Sequence, residues 1–152
     1  MQIGSDVPVC LNNKNAFLSG YGDILDNAPK IPSLYILLIN PKKELSTKKV
    51  FESYNKKNNF RRTKINLNKL NFFKWILKQR NDLEEYSIKI LPEIKDILDF
   101  FSITKNCFFF SMTGSGPTVF GLFKNKIDAI NASHILNKSY SNWWSGVYNF
   151  KS

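Results

Sequence analysis

The chain has 152 residues, a formal net charge of +10, 43% hydrophobic residues and 22% charged residues. This is enough chain for one domain with a real core, and its composition lies far from that of a disordered segment. No apolar run approaches the length of a membrane span, and the first residues lack the pattern of a secretory signal, so no membrane partner is expected.

The charge is unevenly placed. Residues 41–80 hold 13 of the 22 lysines and arginines, with Glu44 and Glu52 as the acids of that window. A basic surface of this kind suits an anionic ligand, such as a phosphorylated small molecule or a nucleic acid. Lysine, asparagine and isoleucine are abundant and arginine is scarce, a bias that an AT-rich genome produces without selection for binding. Cys10 and Cys107 are far apart and lack metal-ligand spacing. They read as free thiols in a reducing cytoplasm.

Along the chain, Val7, Val9 and Leu11 alternate as in a strand. Ala16–Leu18 continues extended, and Gly20-Tyr21-Gly22-Asp23 reads as a turn. The short apolar run Leu34–Ile39 predicts a buried strand, ended by Asn40-Pro41. Ser46-Thr47 is placed to cap a helix through Tyr54, and residues 55–68 read as an exposed loop. Leu70, Phe73, Trp75, Ile76 and Leu77 suggest a helix. From Asn81-Asp82 onward, apolar residues from Leu83 to Phe101 recur at spacings of three and four. Pro92 falls inside that stretch and predicts a kink or restart. Cys107–Met112 and Thr118–Phe123 read as hairpin strands, residues 127–136 as a helix, and Trp143–Phe150 as a last strand. The order indicates an α+β fold, with helices on a largely antiparallel, ferredoxin-like sheet.

Two stretches carry chemistry. In Gly4-Ser5-Asp6-Val7-Pro8-Val9, a carboxylate precedes an apolar strand. On a strand edge such a group can accept or orient a hydroxyl proton, although an Asp in this position more often serves a turn or cap. In Thr113-Gly114-Ser115-Gly116-Pro117, glycines allow positive φ, and successive amides can face one anion. An ordinary glycine turn has the same pattern. It is not a Walker loop, because no Gly-Lys-Ser/Thr follows.

Taken together, Gly-Ser-Asp-Val-Pro and, about a hundred residues later, Met-Thr-Gly-Ser-Gly-Pro-Thr-Val-Phe resemble the second half of the GHMP kinase family. Gly20–Leu25, Ser46-Thr47 ahead of Val50-Phe51, Arg80-Asn81-Asp82-Leu83 and Trp144–Val147 extend the resemblance almost to the C-terminus. It implies the family's C-terminal domain over residues 31–152, with residues 1–30 as a remnant of the N-terminal domain. The activity implied is transfer of the ATP γ-phosphate to the tertiary 2-hydroxyl of 4-diphosphocytidyl-2-C-methyl-D-erythritol, in non-mevalonate isoprenoid precursor synthesis. ATP enters with Mg²⁺ as co-substrate, with no prosthetic group and no metal site in the chain itself. Asp6 matches the catalytic aspartate, Thr47 a substrate-contacting position and Phe51 the aromatic that stacks on cytosine. Thr113, Gly114, Ser115 and Gly116 match the motif that closes over the active site.

The family's catalytic lysine and its Gly-Ser-Ser-rich phosphate loop have no counterpart in these residues. The expectation is therefore a truncated chain or one half of a split kinase, inactive by itself, with the N-terminal half as its missing partner. Homoserine and mevalonate kinases are the near alternatives. A basic, ferredoxin-like RNA-binding module is the distant one, motivated by Phe60, Phe72, Phe73 and Trp75 among the basic residues. It lacks the basic-aromatic pattern on adjacent central strands, so nucleic acid is not the expected partner. A remnant that kept its fold without activity is the third. The single histidine, His134, reads as solvated on a helix.

Overall fold

The computed structural model describes residues 16–19, 24–27, 31–54 and 71–150. Two short strands, β1 (Ala16–Ser19) and β2 (Ile24–Asn27), pair antiparallel. The expected strand at Val7–Leu11, the turn at 20–23 and the loop at 55–68 lie outside the described residues. The pairing of β2 was not anticipated from the sequence.

The main sheet has four strands: β3 (Leu34–Asn40), β4 (Phe109–Met112), β5 (Val119–Phe123) and β6 (Trp144–Phe150). Its order is β4-β5-β3-β6, and every pairing is antiparallel. The apolar run of β3 is explained by its central position, bonded on both sides, with Leu37 and Ile39 fully buried.

Five helices are described: α1 (Thr47–Tyr54), α2 (Phe72–Ile76), α3 (Glu84–Ile90), α4 (Glu93–Ile103) and α5 (Lys126–Ser139). The long amphipathic stretch from Leu83 to Phe101 divides at Leu91-Pro92, as the proline predicts. Leu91 is extended (φ −134°, ψ 91°), the conformation that a following proline ring favours. Pro92, with no amide hydrogen to satisfy, then opens α4. Helix α4 buries Ile94, Ile97, Leu98 and Phe101, one face at spacings of three and four. Helix α5 is capped by Asn125, whose Oδ1 accepts the Asp128 N–H at 2.9 Å, and it buries Ala129, Ala132 and Leu136.

Both helices cover the face of the sheet that carries Leu37, Ile39, Val119 and Phe123. One row across this face runs Phe110, Gly121, Leu37, Val147, from β4 to β6. At Gly121 the row has a gap, and the Phe101 ring of α4 fills it. A Cβ built on Gly121 would stand 2.3 Å from Phe101 Cε1. The same ring stacks on Phe110, centroids 6.1 Å apart and 18° between planes. Trp143, just before β6, is buried, whereas Trp144, the first residue of that edge strand, is exposed. His134 is exposed on α5, as expected.

Candidate functional site

The site is assembled where the β4–β5 hairpin turns. The Thr113 N–H donates to the Thr118 carbonyl at 2.9 Å, and the Gly116 N–H donates to the Thr113 carbonyl at 2.8 Å. Gly114 and Gly116 both have positive φ, +50° and +83°. Gly116 is also a point of close approach, because a Cβ there would lie 2.7 Å from Met112 Sδ and 3.2 Å from Leu45 Cδ2. Gly114 has nothing within 4 Å of an added Cβ, so it borders open space. The bond Gly116–Pro117 is cis. At the far side of the turn, Asn40 Nδ2 donates to Thr118 Oγ1 at 2.8 Å, tying it to the end of β3.

Helix α1 meets this turn. Its first residue, Thr47, has its Oγ1 2.9 Å from Ser115 Oγ, and the two hydroxyls share a hydrogen bond. Val50 and Tyr54 point inward from α1 and are buried, and Tyr54 packs edge-on against Tyr86 of α3 at 5.6 Å. That buried face leaves Phe51 outward, 45% exposed. Phe51 borders a cleft of about 540 Å³ whose other walls include Tyr54, Trp75, Arg80, Phe109 and Phe120.

Thr47, Phe51, Thr113, Gly114, Ser115 and Gly116, singled out in the sequence, thus fall on one helix and one turn that touch. Asp6 lies outside the described residues. The sequence reading gave no role to the groups that hold the turn. Asn81 Nδ2 donates to the carbonyls of Met112 and Gly114, at 2.9 and 2.7 Å. Ser87 Oγ donates to the Ser115 carbonyl at 3.0 Å, and Glu84 Oε2 accepts the Met112 N–H at 3.2 Å. A signal for Ser87 was present: it sits midway between Leu83 and Leu91, four residues from each, so a polar side chain stands on the buried face of α3. Ser87 is fully buried, and a buried hydroxyl needs a partner.

The donors gathered at the turn are hydroxyls and amides, which suit phosphate oxygens. Among the described residues there is no group of three His, Cys, Asp or Glu that could hold a metal ion, and no helix is long and apolar enough to cross a membrane.

An antiparallel sheet backed by two helices, with a glycine turn set against the start of a third helix, places the chain in a known class. The family model "GHMP kinases C terminal" matches residues 56–142, and the chain belongs to the GHMP kinase family. More particularly, it is 38% identical over 147 residues to the 4-diphosphocytidyl-2-C-methyl-D-erythritol kinase of Anaplasma phagocytophilum (strain HZ), covering 94% of this chain and 49% of the relative. The enzyme of the same name from Ehrlichia canis (strain Jake) is 38% identical over 148 residues, covering 94% of this chain and 52% of the relative. The chain therefore spans about half the length of the curated relatives it matches. Among solved structures, a 4-(cytidine 5'-diphospho)-2C-methyl-D-erythritol kinase superposes with a TM-score of 0.70 at 21% identity, covering 95% of this chain and 53% of that one. A homoserine kinase from Cytophaga hutchinsonii superposes with a TM-score of 0.64 at 20% identity, covering 96% of this chain and 50% of that one. At such identities these likenesses speak for the fold. The RNA-binding alternative is not favoured by any of them.

Proposed function

We propose that the chain is the substrate-side half of an ATP-dependent kinase acting on the 2-hydroxyl of 4-diphosphocytidyl-2-C-methyl-D-erythritol, in non-mevalonate isoprenoid precursor synthesis in the cytoplasm. The observation that carries the reading is the contact between Thr47 and Ser115, 2.9 Å apart in space and 68 residues apart in sequence. It joins a helix bearing an outward aromatic to a glycine turn, in a chain whose relatives carry that kinase's name.

In this reading the Phe51 ring takes the cytosine face, Thr47 contacts the substrate, and the glycine turn closes over the phosphates of ATP. The Asp6 carboxylate accepts or orients the proton of the 2-hydroxyl as its oxygen attacks the γ-phosphorus and ADP leaves. Such catalysis consists mostly of positioning and charge stabilisation. Mg²⁺ would arrive on the ATP phosphates; the hydroxyls and amides at the turn suit those phosphates better than the cation. Residues 31–152 act as the C-terminal domain and residues 1–30 as part of the N-terminal one. The phosphate loop and the catalytic lysine belong to the half of the relatives that these residues do not span.

The test is a phosphorylation assay with purified 152-residue chain, alone and joined to the first half of the Anaplasma relative. The chain alone is expected to show no turnover and the joined enzyme to be active. Phe51→Ala should raise the KM for the cytidine substrate about tenfold, with kcat little changed, as for lost uniform binding. Turnover by the chain alone, or indifference to Phe51→Ala, overturns the assignment.

A further inference from the structure

The carboxamide of Asn81 makes three hydrogen bonds, and one orientation makes all of them. Its Oδ1 accepts the Leu83 N–H at 3.0 Å, while Nδ2 donates to the Met112 and Gly114 carbonyls at 2.9 and 2.7 Å. Both amide hydrogens are thereby engaged by the turn, and the one oxygen by the start of α3. Ser87 adds a third carbonyl, that of Ser115, at 3.0 Å. The carbonyls of residues 112, 114 and 115 are all drawn onto one short stretch, 81–87.

The turn's N–H groups divide differently. Those of Thr113 and Gly116 bond within the hairpin, whereas those of Gly114 and Ser115 donate to no other described residue. Gly114 borders open space, and the Ser115 hydroxyl already meets Thr47. A peptide unit whose carbonyl is fixed has its N–H fixed as well, because the unit is planar. Fixing the Gly114 carbonyl sets the direction of the Ser115 N–H, and the Thr113–Gly114 unit, whose own carbonyl accepts the Gly116 N–H, lies between the two units that Asn81 bonds.

We propose that Asn81 is the positioning residue of this turn: its carboxamide fixes the Met112–Thr113 and Gly114–Ser115 peptide planes, which flank the Thr113–Gly114 unit, so that the Gly114 and Ser115 amides stay aligned for a phosphate oxygen. The identity of the anion rests on the kinase reading above; the ordering of the turn does not. Preorganised donors are effective because they need no reorientation as charge develops on the transferring group.

Asn81→Asp is the sharpest variant. It keeps the size and the acceptor for the Leu83 N–H, but it sets a carboxylate against two carbonyl oxygens. Amide hydrogen exchange and ¹⁵N relaxation on the 152-residue chain read the turn directly. Exchange at Thr113 and Gly116, the bonded amides of the turn, is expected to accelerate at least tenfold, while Leu37 and Phe123 in the sheet change less than twofold. Asn81→Ala, which adds no charge, should follow the same pattern, and Lys95→Ala on the outer face of α4 should leave all four amides alone. Turn amides that do not respond, or core amides that accelerate equally, overturn a role confined to the turn. In the joined enzyme, Asn81→Asp should lower kcat at least thirtyfold and leave the KM for the cytidine substrate within threefold. A raised KM with unchanged kcat overturns the positioning role. If the unmutated joined enzyme is inactive, the kinase reading fails, and the exchange experiment still decides the ordering of the turn.

Discussion

In the body of the β4–β5 hairpin an aromatic ring lies against bare backbone, whereas its tip is gripped by polar side chains. Phe101 of α4 rests on Gly121 and stacks on Phe110, an apolar contact that depends on area and close fit. The tip takes hydrogen bonds from Asn81 and Ser87 and a shared hydroxyl from Thr47. The contrast follows from what each part must do. A core is most stable when filled, since water leaves and dispersion contacts are made on every side. A turn that is to meet an anion must leave some donors open, so it is fixed through its carbonyls instead. Stability should therefore respond most to the body and function most to the tip.

Emptying the body has the largest expected effect. Phe101 is 1% exposed, and Phe101→Ala should cost about 3–5 kcal/mol through lost transfer energy and a residual cavity. Gly121→Ala attacks the same contact from the other side. Its Cβ would lie 2.3 Å and 2.6 Å from two carbons of that ring, and the ring is hemmed in by the core. Overpacking of this kind costs about 1–3 kcal/mol. Urea melts of both variants check the ranking. Loss of less than about 1 kcal/mol in Phe101→Ala would mean that the ring is not what holds the hairpin to α4.

The tip offers a smaller and more discriminating pair. Gly116→Ala combines a positive φ of +83° with a Cβ 2.7 Å from Met112 Sδ. Gly114→Ala has a φ of +50° and open space around it. A left-handed residue with a Cβ costs about 1–2 kcal/mol, and the Met112 thioether can swing away only in part. Gly116→Ala should thus destabilise by about 2–3 kcal/mol and Gly114→Ala by about 1–2 kcal/mol. In the joined enzyme the order should reverse relative to stability, with Gly114→Ala losing activity out of proportion to its melt. Equal losses of activity per unit of stability would erase the division between body and tip.

How much of this was legible follows the same division. The body was readable because burial leaves a periodic trace. Ile94, Ile97, Leu98 and Phe101 repeat at helical spacing, Leu34–Ile39 runs apolar through a central strand, and Pro92 marks a break that α3 and α4 respect. The glycine turn and Thr47 were legible by family resemblance, and the turn also by its glycines. The contact between Thr47 and Ser115 was not, because nothing in either stretch encodes a partner 68 residues away. Asn81 was noticed as part of a helix start and its grip on the turn was missed, since an Asn before a helix ordinarily caps it. It does accept from the Leu83 N–H as a cap residue would, and the other end of the same carboxamide reaches across the fold. Ser87 was passed over although its place between Leu83 and Leu91 contradicted the apolar stripe.

The smallest effect belongs to Cys107, which lies beside the body of the hairpin with its Sγ 3.0 Å from the place of an added Gly121 Cβ. Burial pushes its thiol from an ordinary 9.0 up to about 11, against the opposing pull of hydrogen bonds with the Phe109 and Leu122 backbone. A thiol raised in the folded state adds its full stability below the unfolded value and loses it as pH climbs through the folded one. The window is therefore pH 9.0 to about 11. The comparison is with Cys107→Ala, which leaves every other ionisable group in place. Between pH 8 and 11 the melting temperature of the unsubstituted chain should fall relative to the variant by about 1–3 °C. A difference that stays flat across that range would place the thiol in contact with water, and with it the back of Gly121, loosening the packing on which the hairpin body depends.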